Sequence, residues 1–463
     1  MTGFEKRSVL ALATLYSMRM LGLFMILPVF VLTANNLEGA TPVLIGLAMG
    51  AYGLSQALLQ IPFGMLSDYF GRKKLLILGL ILFAVGSVIA ALSESIYGVL
   101  LGRILQGAGA IASVLMALLS DLTLEENRTK AMAVVGMSIG ISFSVALVVG
   151  PLVASYAGLS GIFWLTSIFA LIGICLVIWV VPTPVKRTQH LDTRPLSSQI
   201  AAIVRDRELV RLDIGIFVLH GILTALFLAI PLVFVNEAGI PKEDHWWIYL
   251  SVMGTSFFAM VPFIVIAEKF RRMKPVFVGA ISVLLVALLS LSYFHGALVQ
   301  VWWGLFFFFM AFNLLEASLP SLISKRSPAG GKGTAMGVYS TCQFMGAFVG
   351  GTVGGLGLAE WGPDAVILGC VLLGLVWLYF AFTMSSPGYS TSMMIKWHFK
   401  LDEESAQKVS DRLSNIAGVE DVVVIIQEQA AYLKVDKQHL DEDALQFYRE
   451  KSNQDWYCAP ANS

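Results

Sequence analysis

Gly64-Met65-Leu66-Ser67-Asp68-Tyr69-Phe70-Gly71-Arg72-Lys73-Lys74 joins two apolar stretches, each long enough to cross a bilayer. A hairpin between helices needs a glycine and one or two polar residues. This one also carries a carboxylate and three consecutive cations. Gly64 would let two helices approach closely, and Gly71 would permit the tight turn before the next helix. Asp68, at a membrane edge, needs a partner, and Arg72 stands four residues on, at helical spacing. A carboxylate there could equally dock on the positive N-terminus of another helix.

The surrounding composition is that of a membrane protein. Of 463 residues 57% are hydrophobic and 13% charged, and mean hydropathy is +0.77. Soluble domains carry about twice that charged fraction. Net charge is zero, so charge-driven nucleic-acid binding has no support. Cys175, Cys342, Cys370 and Cys458 show no paired spacing and three of them lie in apolar stretches. Neither a disulfide framework nor a metal site is expected, and no cofactor is implied. Lys6 and Arg7 precede an apolar run too long for a signal-peptide core, which predicts a retained first span.

Hydropathy predicts twelve spans, at about 8–33, 44–67, 75–93, 98–120, 130–155, 161–182, 209–235, 245–267, 275–294, 298–323, 334–356 and 364–385. The proline- and arginine-bearing segment 183–208 splits them into a six-span half, 1–182, and a second, 209–386. Lys and Arg crowd alternate connections, whereas the other set carries Lys242 alone. That bias puts both termini, and the Gly64–Lys74 turn, in the cytoplasm. The halves also repeat. Pro62-Phe63, Asp68, Phe70, Arg72 and Lys74 align with Pro262-Phe263, Glu268, Phe270, Arg272 and Lys274 at an offset of 200. Ala131-Met132 aligns with Ala335-Met336 at an offset of 204. Two related six-span bundles are the architecture that alternating access uses.

Residues 393–463 differ in kind, with eight Lys/Arg against thirteen Asp/Glu. Ile395, Trp397, Phe399 and Leu401 alternate with polar residues as in a half-buried strand. Asp402-Glu403-Glu404 opens a helix striped by Ala406, Val409, Leu413 and Ile416 and stopped by Gly418. A hairpin over 422–427 and 431–436 and a helix over 441–451 would complete a small ferredoxin-like α+β unit with its final strand short or missing. The first loop of that unit, Lys400–Glu404, has no thiol, which leaves a regulatory role and a ligand or protein partner rather than thiolate metal binding.

Three motifs carry a family resemblance. The Gly64–Lys74 turn fits G-x-L-x-D-x-x-G-R-K at every defined position, and resembles the signature loop of the major facilitator superfamily. The resemblance implies a conformational gate made by Gly64, Asp68, Gly71, Arg72 and Lys73. Asp68 would cap the eleventh helix near Gly333-Thr334, and Arg72 would bridge to Asp121. Arg103-Ile104-Leu105-Gln106-Gly107 is similar to that family's fourth-helix R-x-x-Q-G motif, implicated in proton handling. Gly140, Gly150 and Pro151 resemble the helix-packing motif of drug:proton antiporters, although Ala154-Ser155 stands where a Gly-Gly closes it. The whole-chain combination of twelve spans and this tail implies an inner-membrane exporter of a small molecule, working against proton entry.

A charge in a span is expensive and points to function by default. Arg19, Arg103 and Glu316 are such charges, and Glu316 stands beside Asn313 as the one carboxylate expected well inside a span. Glu316 would carry a proton if desolvation raised its pKa, or be satisfied by a neighbouring arginine or hydroxyl. His220 titrates near neutrality, but a lone histidine in an apolar span is ordinarily hydrogen-bonded packing, and it is not counted among the site residues. Trp302 and Trp303 would mark the outer interface, and most of Phe306–Phe309 would face lipid or neighbouring helices. A cavity with few charges favours lipophilic or drug-like substrates. The expected partners are therefore lipid, protons and an unidentified small molecule. A membrane sensor signalling through the tail and an uncoupled facilitator stay open as alternatives. An enzyme does not fit, since no nucleophile–base cluster is present.

Overall fold

The computed structural model describes residues 1–123, 125–183, 196–294, 296–327, 331–385, 391–397, 402–426, 429–436, 439–441 and 443–445. The first half contains α1 (Gly3–Phe24), α2 (Phe30–Ala34), α3 (Pro42–Phe70), α4 (Arg72–Leu92), α5 (Ile96–Ala108), α6 (Ala112–Leu122) and α7 (Glu125–Trp179). After α8 (Leu196–Arg205) come α9 (Arg207–Asn236), α10 (His245–Lys269), α11 (Met273–Tyr293), α12 (Leu298–Arg326) and α13 (Lys332–Thr383). The tail adds β1 (Thr391–Lys396), α14 (Glu403–Ser414), β2 (Val419–Ile425) and β3 (Ala430–Val435).

Nine helices among the described residues are long and apolar enough to cross a membrane. Two of these, α7 and α13, break at Gly158 and Gly362 and supply two crossings each. With α1, whose hydropathy is diluted by Glu5, Lys6, Arg7 and Arg19, the crossings reach the expected twelve. Local chemistry sets the ends. Thr2 and Glu5 form a capping box on α1, and Thr41 accepts from the Leu44 N–H at 3.2 Å where Pro42 opens α3. The fourth span is divided into α5 and α6 at Gly109–Ile111. Of the expected linker over 183–208, residues 184–195 lie outside the described residues, and its end is the helix α8.

The backbone carries the repeat more plainly than the side chains do. Left-handed φ angles recur in register: 72° at Gly39 and 64° at Gly239, 99° at Gly71 and 54° at Arg271, 63° at Gly158 and 82° at Gly362. Their separations are the offsets of 200 and 204 already visible in the sequence. Arg271 therefore keeps the turn of Gly71 without the glycine, at a cost of about 1 kcal/mol.

The chain falls into two compact units, one of Met1–Arg187, Asp213–Ser318 and Tyr339–Thr383, the other of Thr188–Leu212, Leu319–Val338 and Met384–Ser463. In the first, α3 and α13 meet backbone to backbone near the Pro42 end of α3. A Cβ on Gly46 would lie 2.3 Å from the Gly351 carbonyl oxygen, one on Gly50 2.7 Å from that of Phe348, and one on Gly53 2.5 Å from that of Phe344. The most enclosed span is α9, with 89% of its apolar window buried. Large apolar side chains such as Trp179, Phe258 and Leu372 remain exposed, as on a surface solvated by lipid.

In the second unit the strand order is β1-β3-β2, all antiparallel, which is the order of the first three strands of a ferredoxin-like sandwich. Ile395, Trp397, Val409, Leu413 and Leu433 make its core. Asp402 caps α14 by accepting from the Ser405 N–H at 2.9 Å, and the Ser405 side chain and backbone hold its carboxyl below the usual range. The first strand ends at Lys396, earlier than its alternation suggested. Phe399 and Leu401 lie outside the described residues, as does most of the expected helix over 441–451, of which 443–445 is helical.

The glycine contact yields a paired test. Gly46→Ala should lower the thermal stability of the detergent-solubilised protein by about 1–3 kcal/mol, since the new methyl has only backbone to displace. Gly279→Ala, where a Cβ meets nothing within 4 Å, should be neutral or slightly stabilising in the same unfolding measurement.

Candidate functional site

The turn after α3 is built around one guanidinium. Arg72 bonds the Asp68 carboxylate, donates from Nε to Asp121 Oδ2 at 3.1 Å, and donates from Nη1 to Ser67 Oγ at 2.6 Å. Lys73 donates to the Val181 carbonyl at 2.9 Å. Gly71 supplies the left-handed turn, and a Cβ on Gly64 would press on Ser113 Oγ at 3.3 Å. Arg72 thus reaches both carboxylates that the sequence pointed to. The Asp68 side chain is 53% exposed and that of Asp121 38%, so each pair is worth at most about 1 kcal/mol.

Deeper in the first half, Arg19 and Arg103 are each only 2% exposed and share one aromatic ring. The Arg19 guanidinium lies 6.0 Å from the Tyr52 ring centroid and that of Arg103 5.0 Å. Arg19 Nη2 donates to the Tyr52 hydroxyl at 2.8 Å, to Gln56 Oε1 at 2.5 Å and to the Gly109 carbonyl at 3.3 Å. Its Nε and Nη1 have no partner among the described residues. Arg103 differs. It donates to Gln106 at 2.9 Å and, over longer distances, to the carbonyls of Ala48 and Met49, and Gln106 is held in turn by Ser87 Oγ at 2.8 Å. Every partner of both cations is neutral. Each Arg103 nitrogen has an acceptor, whereas two of the Arg19 nitrogens have none among the described residues. Tyr52 and Gln56 were not singled out in the sequence, though a Tyr52-Gln56-Gln60 stripe at helical spacing was there to find.

The second half gathers carboxylates. The Gln343 amide donates to Glu316 Oε1 at 3.3 Å and to His220 Nε2 at 2.8 Å, which leaves the His220 proton on Nδ1, 3.9 Å from Glu316 Oε2. His220, set aside as packing, belongs to this cluster. Glu316, whose side chain is 34% exposed, is also not the only carboxylate in a span. Asp213 on α9 is 5% exposed, and Tyr339 on α13 is within electrostatic reach of both acids. Asp213 Oδ1, Glu316 Oε2, His220 Nδ1 and the Tyr339 hydroxyl are buried atoms without hydrogen-bond partners among the described residues. Asp213 escaped the sequence because it closes the charged run Arg205–Asp213 and passes for an interfacial residue.

An aromatic wall runs beside these groups: Phe24 to Phe143 at 4.9 Å, Phe143 to Phe312 at 5.7 Å, and Phe312 to the His220 ring at 6.1 Å. Phe308 and Phe309 are buried and Phe307 exposed, while Trp302 donates to Ser251 Oγ at 2.8 Å. The antiporter-like motif divides. Gly150 packs on α1, where a Cβ would meet the Met25 carbonyl at 2.2 Å, and Pro151 is buried beside it; Gly140 faces open space and packs against nothing within 4 Å.

In the second unit, a cleft of about 430 Å3 is lined by Asp206, Arg326, Glu420, Asp421 and Lys434. Burial pushes the Lys434 ammonium pKa down, against the pull of Asp421, Glu420 and Asp206.

A twelve-span body with a repeated half and buried charges in both halves defines a secondary transporter. Residues 12–351 match the Major Facilitator Superfamily, and the chain belongs to that family of membrane transporters, which are not enzymes. It is 46% identical over 436 residues to the inner membrane transport protein YajR of Escherichia coli, covering 94% of this chain and 95% of that one. Multidrug resistance protein 2 of Bacillus subtilis is 26% identical over 361 residues, 73% of this chain and 85% of that one. Among solved structures, a bacterial homolog to the human lysosomal transporter Spinster, inward-facing and occupied, superimposes with a TM-score of 0.68 at 14% identity. It covers 84% of this chain and 98% of that one, a likeness of fold alone.

Gln56→Leu removes the shortest acceptor of a buried guanidinium. It should destabilise the protein by about 1–3 kcal/mol, and Gln60→Leu, one bond further out, by less, when both are compared by thermal unfolding in detergent.

Proposed function

We propose that the chain is a proton-coupled exporter of small, drug-like molecules in a bacterial inner membrane, with both termini in the cytoplasm and the turn after α3 as its gate. The observation that carries this reading is the Glu316–Gln343–His220 cluster. There a carboxylate in the middle of a span meets only a neutral amide and an imidazole, with one oxygen unpartnered. A carboxylate inside a span with no fixed cation beside it can take up a proton from one side and release it to the other in turn. Asp213 and Tyr339 continue the polar path toward the cytoplasmic end of α9. With this orientation the glycine contact of α3 with α13 closes the outer side, and the Asp68–Arg72–Asp121 latch belongs to the cytoplasmic side. In the alternate state Asp68 would move to the N-terminus of α13 near Gly333-Thr334. Drug-resistance names among the relatives support a drug-like substrate, and the charged cleft of the second unit suits a regulatory ligand or partner for the tail.

Coupling is tested in proteoliposomes with labelled substrates drawn from a drug panel. Glu316→Gln should abolish accumulation driven by a pH gradient; retained gradient-driven accumulation would remove Glu316 from the proton path. For the gate, Asp68→Asn should slow transport at least about tenfold, whereas Glu268→Gln, in the degenerate second copy, should change it little. Equal effects of the two would reduce the turn to a topology signal.

A further inference from the structure

The unsatisfied charges of the membrane unit have opposite sign in the two halves. Arg19, on α1, keeps two buried N–H donors without acceptors; Glu316 and Asp213, on α12 and α9, keep buried oxygens without donors. No carboxylate bonds Arg19, and no cation other than the neutral-capable His220 approaches Glu316, among the described residues. Two side-chain paths connect these groups. On one, Arg19 bonds Tyr52, whose ring meets Phe344 edge-on at 6.3 Å, and Phe344 follows Gln343, the ligand of Glu316. On the other, Phe24, one turn beyond Arg19, begins the aromatic wall that ends on His220. Aromatic contacts thus link the helices that carry Arg19 to those that carry Glu316 and His220.

Leaving a guanidinium and a carboxylate both unpaired in a bilayer interior is costly, and direct pairing would remove that cost. The fold instead holds them on different halves. Arg103 marks the contrast, because each of its three nitrogens has an amide or carbonyl oxygen as acceptor.

We propose that the transported molecule is a zwitterion with an aromatic or apolar body, its anionic group received by Arg19 and its cationic group by Glu316. This rests on the transporter reading and narrows its substrate class. A compound carrying only one of the charges leaves the opposite protein charge buried and unsatisfied, so selectivity arises as much from rejection as from attraction.

The test is equilibrium binding to the full-length protein in detergent at constant pH, with no gradient. Three radiolabelled probes of increasing charge separation are used: phenylalanine, Phe-Ala and Phe-Ala-Ala. Each is offered free, as its C-terminal amide (cation only), and N-acetylated (anion only). At one spacing the free form should bind about 10- to 100-fold more tightly than both blocked forms. Arg19→Gln should erase the preference over the amide and keep that over the acetylated probe, and Glu316→Gln should do the reverse. Should either variant fail to fold, the wild-type ratios decide. Equal binding of free and blocked probes at every spacing, or no binding by any of them, overturns the proposal. Because no gradient is involved, an intact zwitterion preference with failed gradient-driven flux would sink the coupling alone.

Discussion

A guanidinium in the interior of a bilayer must be met by dipoles or by an opposite charge, and Arg19 is met by dipoles only. The first half is shaped to bring them there. Glycines thin the helix contacts around the cation: a Cβ on Gly107 would lie 2.2 Å from the Tyr52 carbonyl and one on Gly109 2.3 Å from that of Gly79. That closeness places α3, with Tyr52 and Gln56, and the carbonyl of Gly109 around one charged group. The resulting shell is polar and net neutral, so the positive charge is stabilised without being cancelled. A carboxylate in the shell would have made a quieter structure and a poorer receptor for an anion.

The two halves share a backbone and differ in their charges. Gly39 and Gly239, Gly71 and Arg271, and Gly158 and Gly362 turn the chain alike, so the bundles can rock as related bodies about a common site. Arg19, by contrast, corresponds to Leu219 at the offset of 200, and Glu316 to Ala112 at the offset of 204. Shape was retained where mechanics require symmetry.

The same division explains what the sequence disclosed. Hydropathy and charge bias lay out twelve crossings, because apolar length is a strong constraint in a bilayer. Arg19, Arg103 and Glu316 stood out because a charge inside an apolar run has few innocuous explanations. Asp213 did not, because proximity to Arg205, Arg207 and Arg211 disguised it. Tyr52 and Gln343 did not, because an uncharged polar residue in a span is ordinary until its partner on another helix is known. His220 was visible and undervalued for the same reason: its importance comes from Gln343, 123 positions away in the chain. Gly140 was overvalued because spacing cannot say which face of a helix finds a neighbour.

The contacts attached to each side of the membrane unit are weak in different ways. The turn after α3 pairs Arg72 with two well-exposed carboxylates, so water competes for every bond. The glycine seam of α3 and α13 depends on van der Waals contact over small residues, without a buried ion pair. Neither contact is strong, and a ligand moves a conformational equilibrium only by the difference in its affinity for the two states. A deep well on either side would absorb that difference. The strong interactions left unmade are those of Arg19 and Glu316, which are fixed on opposite halves. A molecule that completes both at once is bound tightly only at one separation of the halves, so its binding energy becomes a force between them. On this view the same unsatisfied charges serve selection and motion.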